Sequence, residues 1–578
     1  MLFSLHYAAF GVLVYVICKI AYRHVRRRKL EAELDMKIEK ARKEKQDSID
    51  WAVQASRTMN EETRRDIVGQ SFKELQISLQ SGSLSAESVL IAYLGAAVKA
   101  HERTNCVVQF LKESLEEARN LDKKAQDPHF VKGPWFGIPL SVKETPGVRG
   151  WTFTFGLAAD LEGPKNVDDP LFVKIARENG AVPFALTNLP LLSMFYTTIH
   201  PVYGKTTHPL RDDRTSGGST GGEGALIGAG GSIIGLGSDI GGSIRIPSAY
   251  CGIAGFKPAS NRLCMKHYGK VLPGRPFVWP AEGPMARSMD ACAEYLRLMW
   301  QNNRVNTADP LIAPLNFRED LFEKGRKYRI GYFTSSEHVT VLPAMENAVL
   351  RAKQILEREG HELIPFNPPG MDKISELMMG LLAMDGLKGT SHQLRREKIT
   401  KEFELTARVV HLPLWLKRII GFVANLMGDR LIADQLNYFP TTGADVQALI
   451  NKYYIYKNTF VEAMESQGID ALLSCPVPSP ALKLRTPIYL GLCSLSLTEM
   501  YNLLDFGAGV LKVSEWTDQD DKDLEAYQPK DIFEKTLKEE SKNIEGFPIN
   551  IQVAALPYRD EIALRVLCDL EEALLKEQ

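Results

Sequence analysis

No Asn-x-Ser or Asn-x-Thr acceptor occurs in the 578 residues, which speaks against a chain that matures in a glycosylating lumen. Cysteine motifs are missing too. The eight cysteines, at 18, 106, 251, 264, 292, 475, 493 and 568, show no CxxC and no metal-ligand spacing. Free thiols in a reducing compartment are therefore expected, with no metal and no cofactor. Net charge is almost absent, since 70 basic and 71 acidic side chains leave −1. Without a basic surplus the chain is no nucleic-acid binder. With 44% hydrophobic residues it is not disordered as a whole. Internal repeats are lacking, and a mean hydropathy of −0.16 excludes a polytopic membrane protein, although one apolar run is long enough to cross a bilayer.

That run is at the start. Met1–Cys18 holds no charged residue, and apolar character continues past Lys19 to Tyr22, followed by Arg23, His24 and Arg26-Arg27-Arg28-Lys29. About 20 residues span a bilayer core of about 30 Å, and Lys19 can snorkel to the headgroups. A cleaved signal peptide would carry its positive charge first and a small-residue cleavage site after. Here the order is reversed, and a buried core helix is the remaining alternative. The sequence favours a transmembrane anchor with its basic flank over residues 1–29. The positive-inside rule then places the main chain in the cytoplasm, on the endoplasmic reticulum or another endomembrane.

Residues 30–70 read as a charged helical linker, with Leu30–Asp50 an exposed helix. From about Ser71 strand-like and helix-like segments alternate, which predicts one large α/β body over 71–578. Asp168-Asp169-Pro170 supplies cap and first-turn residues for a helix to Asn179, and Val182–Thr187 reads as a strand. Pro343–Glu359 is an amphipathic helix, with His361–Phe366 the strand after it. Ile549–Val553 alternates like a strand, and Glu561–Lys576 closes the chain as a helix. Trp516–Lys542 is charged enough to be a surface insertion. Within 405–439, His411–Met427 is apolar but interrupted by Lys417 and Arg418, and too short to span. It reads either as an amphipathic hairpin in the membrane interface or as core.

The chemistry concentrates in Thr215–Ser248. Twelve glycines fall between Gly217 and Gly242, against about 7% in ordinary chains, so backbone must approach something closely or adopt φ > 0. A phosphate loop fails, because Ile199 stands where Walker A puts its first glycine before Gly204-Lys205-Thr206. Gly217-Gly-Ser219-Thr-Gly221 matches G-x-S-x-G, but no strand precedes it and no downstream histidine sits in a convincing motif.

A third pattern needs no histidine. Gly218-Ser219-Thr220-Gly221-Gly222, then Asp239-Ile-Gly-Gly-Ser243-Ile-Arg-Ile-Pro247, resembles the amidase-signature family. Upstream, Gly137-Ile-Pro-Leu-Ser-Val-Lys143 matches that family's strand-terminal lysine, with Ile138, Leu140 and Val142 on the face opposite Lys143. Gly252–Pro258 and Gly546–Gln552 extend the match, which covers about residues 71–578. The resemblance implies a central mixed, twisted sheet covered by helices and a catalytic triad of Lys143, Ser219 and Ser243. It also implies an oxyanion site at the N–H groups of Ile240, Gly241, Gly242 and Ser243, and a cis Gly218–Ser219 bond. Ser193 and Met194, in the loop Ser193–Tyr196, are expected to border the acyl site with Ser219. Arg245 and Asp239 are expected to support the loop, and Glu144 to point away from Lys143.

The anchor and the 405–439 hairpin resemble the membrane-bound members of that family, which implies long-chain lipid amides as substrates, the bilayer as partner and a homodimer. Thr220, Ser238, Ile246 and Met194 depart from the pattern of those members, which touches chain-length preference and leaves the triad intact. Two other classes compete: a subunit-type amidase of the kind that acts on misacylated tRNA, and a silent membrane scaffold retaining the fold.

Overall fold

The computed structural model describes residues 2–145, 147–263, 277–301, 304–335, 340–427, 433, 436, 439–486 and 495–577, without the side chains of 2–13, 16, 17, 20 and 23. Among the described residues thirteen strands follow one another: β1 Val107–Phe110, β2 Pro139–Lys143, β3 Val182–Thr187, β4 Ile199–His200, β5 Gly204–Lys205, β6 Ile234–Asp239, β7 Ala254–Lys257, β8 Ala281–Ala286, β9 Arg329–Tyr332, β10 Glu362–Pro365, β11 Ala471–Ser474, β12 Gly507–Glu515 and β13 Pro548–Ala555. Eleven form one sheet in the order β1-β3-β2-β6-β8-β7-β12-β13-β11-β9-β10, and β4 and β5 form a separate ribbon. The sheet is mixed. β3, β2 and β6 run parallel, β9 lies parallel to both β10 and β11, and the other neighbours are antiparallel.

Most central strands are buried along their whole length, as expected where helices cover both faces. The parallel trio fixes the site. β2, β3 and β6 end at Lys143, Thr187 and Asp239 on one edge, the edge where open α/β sheets bind ligands. The expected strands and helices around Val182, Pro343, Glu362, Ile549 and Asp560 are present.

Three local expectations need correction. Residues 30–50 lie in a helix spanning Leu2–Ser56, but one face of it, Leu34, Ile38, Ala41 and Ala52, is buried on the body. The three- and four-residue spacing of these apolar positions was hidden among charges. Asp168 and Asp169 do not cap the helix Leu171–Glu178, whose N-cap is Pro170 without a side-chain bond. Asp169 instead accepts from Arg149 N and Arg177 Nε. The charged segment after β12 begins inside, since Trp516 is buried with Leu524, Phe533 and Leu537.

Among the described residues no single helix is long and apolar enough to cross a membrane. Lys401–His411 and Leu414–Leu426 pass that test only as a pair, bent by 109°. Pro413, which lacks an N–H, sits at the break. Phe403, Ala407, Gly421 and Ala424 face inward with Lys417, while the outer face mixes large apolar side chains with Arg408 and Arg418. Trp415 is 64% and Met427 80% exposed, with Ile419, Phe422, Val423 and Leu426 also outside. Lys417 turns inward, donates to Val410 O at 3.1 Å and lies over the Phe439 ring. Its cationic tip therefore does not lie on the outer face.

Candidate active site

Lys143 closes β2 with its ammonium end fully buried. Nζ lies 2.8 Å from Ser219 Oγ and 3.0 Å from Ser238 Oγ. No carboxylate forms an ion pair with it among the described residues, and burial lowers its pKa to about 7 despite the more distant Glu282, Asp239, Glu144 and Glu223. A lysine near neutrality can take a proton.

Ser219 lies at the foot of a cavity of about 80 Å3 that is also lined by Ser193, Ser243, Ile240, Gly241, Met194, Phe195, Met378 and Leu382. Ser193 donates to Ser219 Oγ at 3.0 Å. Leu192 and Ser193 both have positive φ, 55° and 50°, a costly conformation that persists because the surrounding structure enforces it, with this hydroxyl against Ser219. The Gly218–Ser219 bond is cis, as the resemblance implies.

The glycines allow close approach. A Cβ at Gly218 would lie 2.4 Å from Phe195 O, and one at Gly222 2.3 Å from Asn188 N. Gly242 has φ +120°, and a Cβ there would lie 2.3 Å from Thr498 Oγ1. Behind this loop Asp239 binds Arg245, with Arg245 Nε to Asp239 Oδ2 at 3.0 Å. Arg245 also reaches Thr498 O and Asn502 Oδ1. Burial pushes the Asp239 carboxyl up, but the Arg245 charge and hydrogen bonds outweigh it and hold the group well below the ordinary carboxylate range.

Of the expected oxyanion donors, Gly242 is committed elsewhere. Its N–H donates to Asp239 Oδ1 at 2.7 Å, so Ile240, Gly241 and Ser243 remain as candidates. Glu144 turns away from Lys143, as expected, and accepts from Thr154 N and Oγ1. Burial raises it to about 7.

Two groups, Glu223 and Glu499, and the role of Ser238 escaped the sequence. Ser238 holds Lys143 from the neighbouring strand. Glu223, raised to about 8 by burial, accepts from Ser141 and Thr187 behind the lysine. Glu499 lines the cavity. Residue spacing on neighbouring strands could have flagged Ser238. Nothing local marks the other two.

The chain is similar to known proteins over most of its length. It is 33% identical to fatty acid amide hydrolase 1 of Caenorhabditis elegans, covering 95% of this chain and 96% of that one. It is 33% identical to fatty-acid amide hydrolase 1 of Sus scrofa, covering 91% and 90%. A solved fatty acid amide hydrolase superposes with TM-score 0.77 over 93% of this chain and 94% of that one, at 24% identity, a likeness of fold. A solved 6-aminohexanoate cyclic dimer hydrolase gives 0.65 at 21% identity over 88% and 97%. These relatives mark the protein as an amidohydrolase. The family model that matches residues 88–564 is the amidase model, and the chain belongs to that family.

Proposed function

We propose that the protein is a membrane-bound serine hydrolase that cleaves long-chain fatty acid amides to fatty acid and amine. The observation that carries this reading is the 2.8 Å contact between Lys143 Nζ and Ser219 Oγ on the floor of a cavity that Ser243 also lines. The names of the relatives at 33% identity support the substrate class.

An amide is a weak electrophile with a poor leaving group, so attack needs a base and departure needs a proton. Neutral Lys143 takes the Ser219 hydroxyl proton while Ser219 Oγ takes that of Ser243. Ser243 Oγ bonds to the carbonyl carbon, and the oxyanion meets the N–H groups of Ile240, Gly241 and Ser243. The C–N bond breaks as Ser219 returns a proton to nitrogen, leaving an ester on Ser243. Water then attacks that ester by the same relay and releases the acid.

The lipid half of the reading rests on the bent helices. Phe195 on the cavity wall packs on Phe403, ring centroids 4.6 Å apart, and Phe403 leads into the pair. An apolar outer face so close to the cavity suits a substrate drawn from lipid. The anchor at residues 1–29, a cytosol-facing body on an endomembrane and a homodimer belong to the same reading.

One observation favours a second reading, a hydrolase of short amides. The cavity's 80 Å3 falls below the about 300–1,000 Å3 of ordinary ligand sites. A long chain must displace side chains, and the unbranched Met194 and Met378 are the easiest to move. Incubating the purified protein with oleamide and with acetamide decides between them. Oleic acid release supports the lipid reading, and cleavage of acetamide alone would sink it.

A further inference from the structure

The mechanism leaves one carboxyl on the cavity wall without a task. Glu499 lies on the helix Ser496–Leu503, is 9% exposed, and shares the cavity with Gly241, Ser243, Met378, Leu382 and Leu495. A Cβ on Gly241 would lie 3.8 Å from Glu499 Oε1, which places the carboxyl beside the oxyanion loop. No hydrogen bond or ion pair joins it to a described residue. The Arg245 charge acts on it from a distance, but the Arg245 N–H groups are engaged with Asp239, Thr498 and Asn502. Burial pushes the carboxyl up to about 8, so it is mostly protonated at neutral pH.

A protonated carboxyl both donates and accepts. A substrate that fills the cavity removes water from this group and must supply a partner, or the group is left unsatisfied. Amides and hydroxyls both donate and accept, and in the mechanism above the scissile amide is taken by the oxyanion donors and Ser219, which leaves a hydroxyl as the partner. We propose that Glu499 is a specificity residue that pairs with a substrate hydroxyl close to the scissile carbonyl, and discriminates against amides that are all hydrocarbon there. This rests on the amide-hydrolase reading of the same cavity. The hydroxyl can sit on the amine half or on the acyl chain.

The test compares N-(2-hydroxyethyl)oleamide, N-propyl-2-hydroxyoleamide and N-propyloleamide. The wild-type protein should favour one hydroxylated amide over N-propyloleamide by about tenfold or more in kcat/KM, as sites built around a substrate hydroxyl do. Which of the two is favoured tells which half carries the hydroxyl. Glu499→Gln, which keeps a donor and an acceptor, should retain most of that preference. Glu499→Leu should lose it, with N-propyloleamide cleaved as well as or better than by the wild type. An unchanged ratio in Glu499→Leu would overturn the inference while leaving the amidase reading intact.

Thermal shifts in the Ser243→Ala protein separate the two claims without turnover. The favoured hydroxylated amide should stabilise that protein more than N-propyloleamide does, and adding Glu499→Leu should erase the difference. A preserved difference there would again overturn the assignment. Discrimination in the shifts with no hydrolysis of any amide by the wild type would sink the amidase reading alone.

Discussion

Lys143 owes its low pKa to what it lacks. Burial strips its water and no carboxylate sits close enough to hold the proton, so the neutral amine is within reach at physiological pH. The sign follows directly. Below about 7 the ammonium cannot accept a proton, and above it the amine can. kcat/KM should therefore rise with pH through that range, and the Lys143→Ala protein should lose about a hundred- to ten-thousandfold in kcat together with that limb. A rise of the same shape in Lys143→Ala would assign it to another group. Gly242 makes a second case at this scale. Its φ is +120°, and Thr498 Oγ1 lies 2.3 Å from where a Cβ would stand, so Gly242→Ala must shift the loop that carries Ser243. Activity should fall about a hundredfold or more while circular dichroism stays native.

Elements hold these residues in place, and here sequence legibility divides. Lys143, Ser219 and Ser243 each lie in a compact motif, so their types and spacing are readable along the chain. Their meeting depends on β2 and β6 being parallel neighbours, with Ser219 just before the helix Gly221–Gly228 and Ser243 between β6 and the helix Arg245–Cys251. Glu223, Ser238 and Glu499 come together only through that geometry, and no local pattern announces a buried acid. The Asp239–Arg245 pair binds the end of β6 to the helix Ser496–Leu503 through Thr498 and Asn502. Arg245→Met would leave Asp239 buried without its counter-charge, a loss of about 3–5 kcal/mol. Thermal unfolding should begin at a clearly lower temperature. An unchanged midpoint would show that the loop is held by packing alone.

At the scale of the molecule, composition averages hide the exposed apolar face of the bent pair. Apolar density over 411–427 was legible, but not its direction, because an interface hairpin and a core helix share that composition. In the fold Lys417 is buried and the large apolar side chains face out, which burial of hydrophobic surface alone would never select. The basic stretch from Leu30 was legible as a helix, whereas the seam of Leu34, Ile38, Ala41 and Ala52 on the body was not. Those two facts set different expectations for two truncations. Removing residues 1–29 leaves the seam intact, so the protein should stay folded and active and still float with liposomes through Trp415, Phe422 and Leu426. Adding Trp415→Glu and Phe422→Glu to that truncation should release it to the aqueous fraction, since each removes about 1.5–3 kcal/mol of apolar burial in the interface. Removing residues 1–70 strips the seam as well, and should lower the unfolding temperature where the shorter truncation does not. Should the 1–29 truncation remain wholly in the aqueous fraction without detergent, the exposed face of the bent pair serves contacts other than lipid.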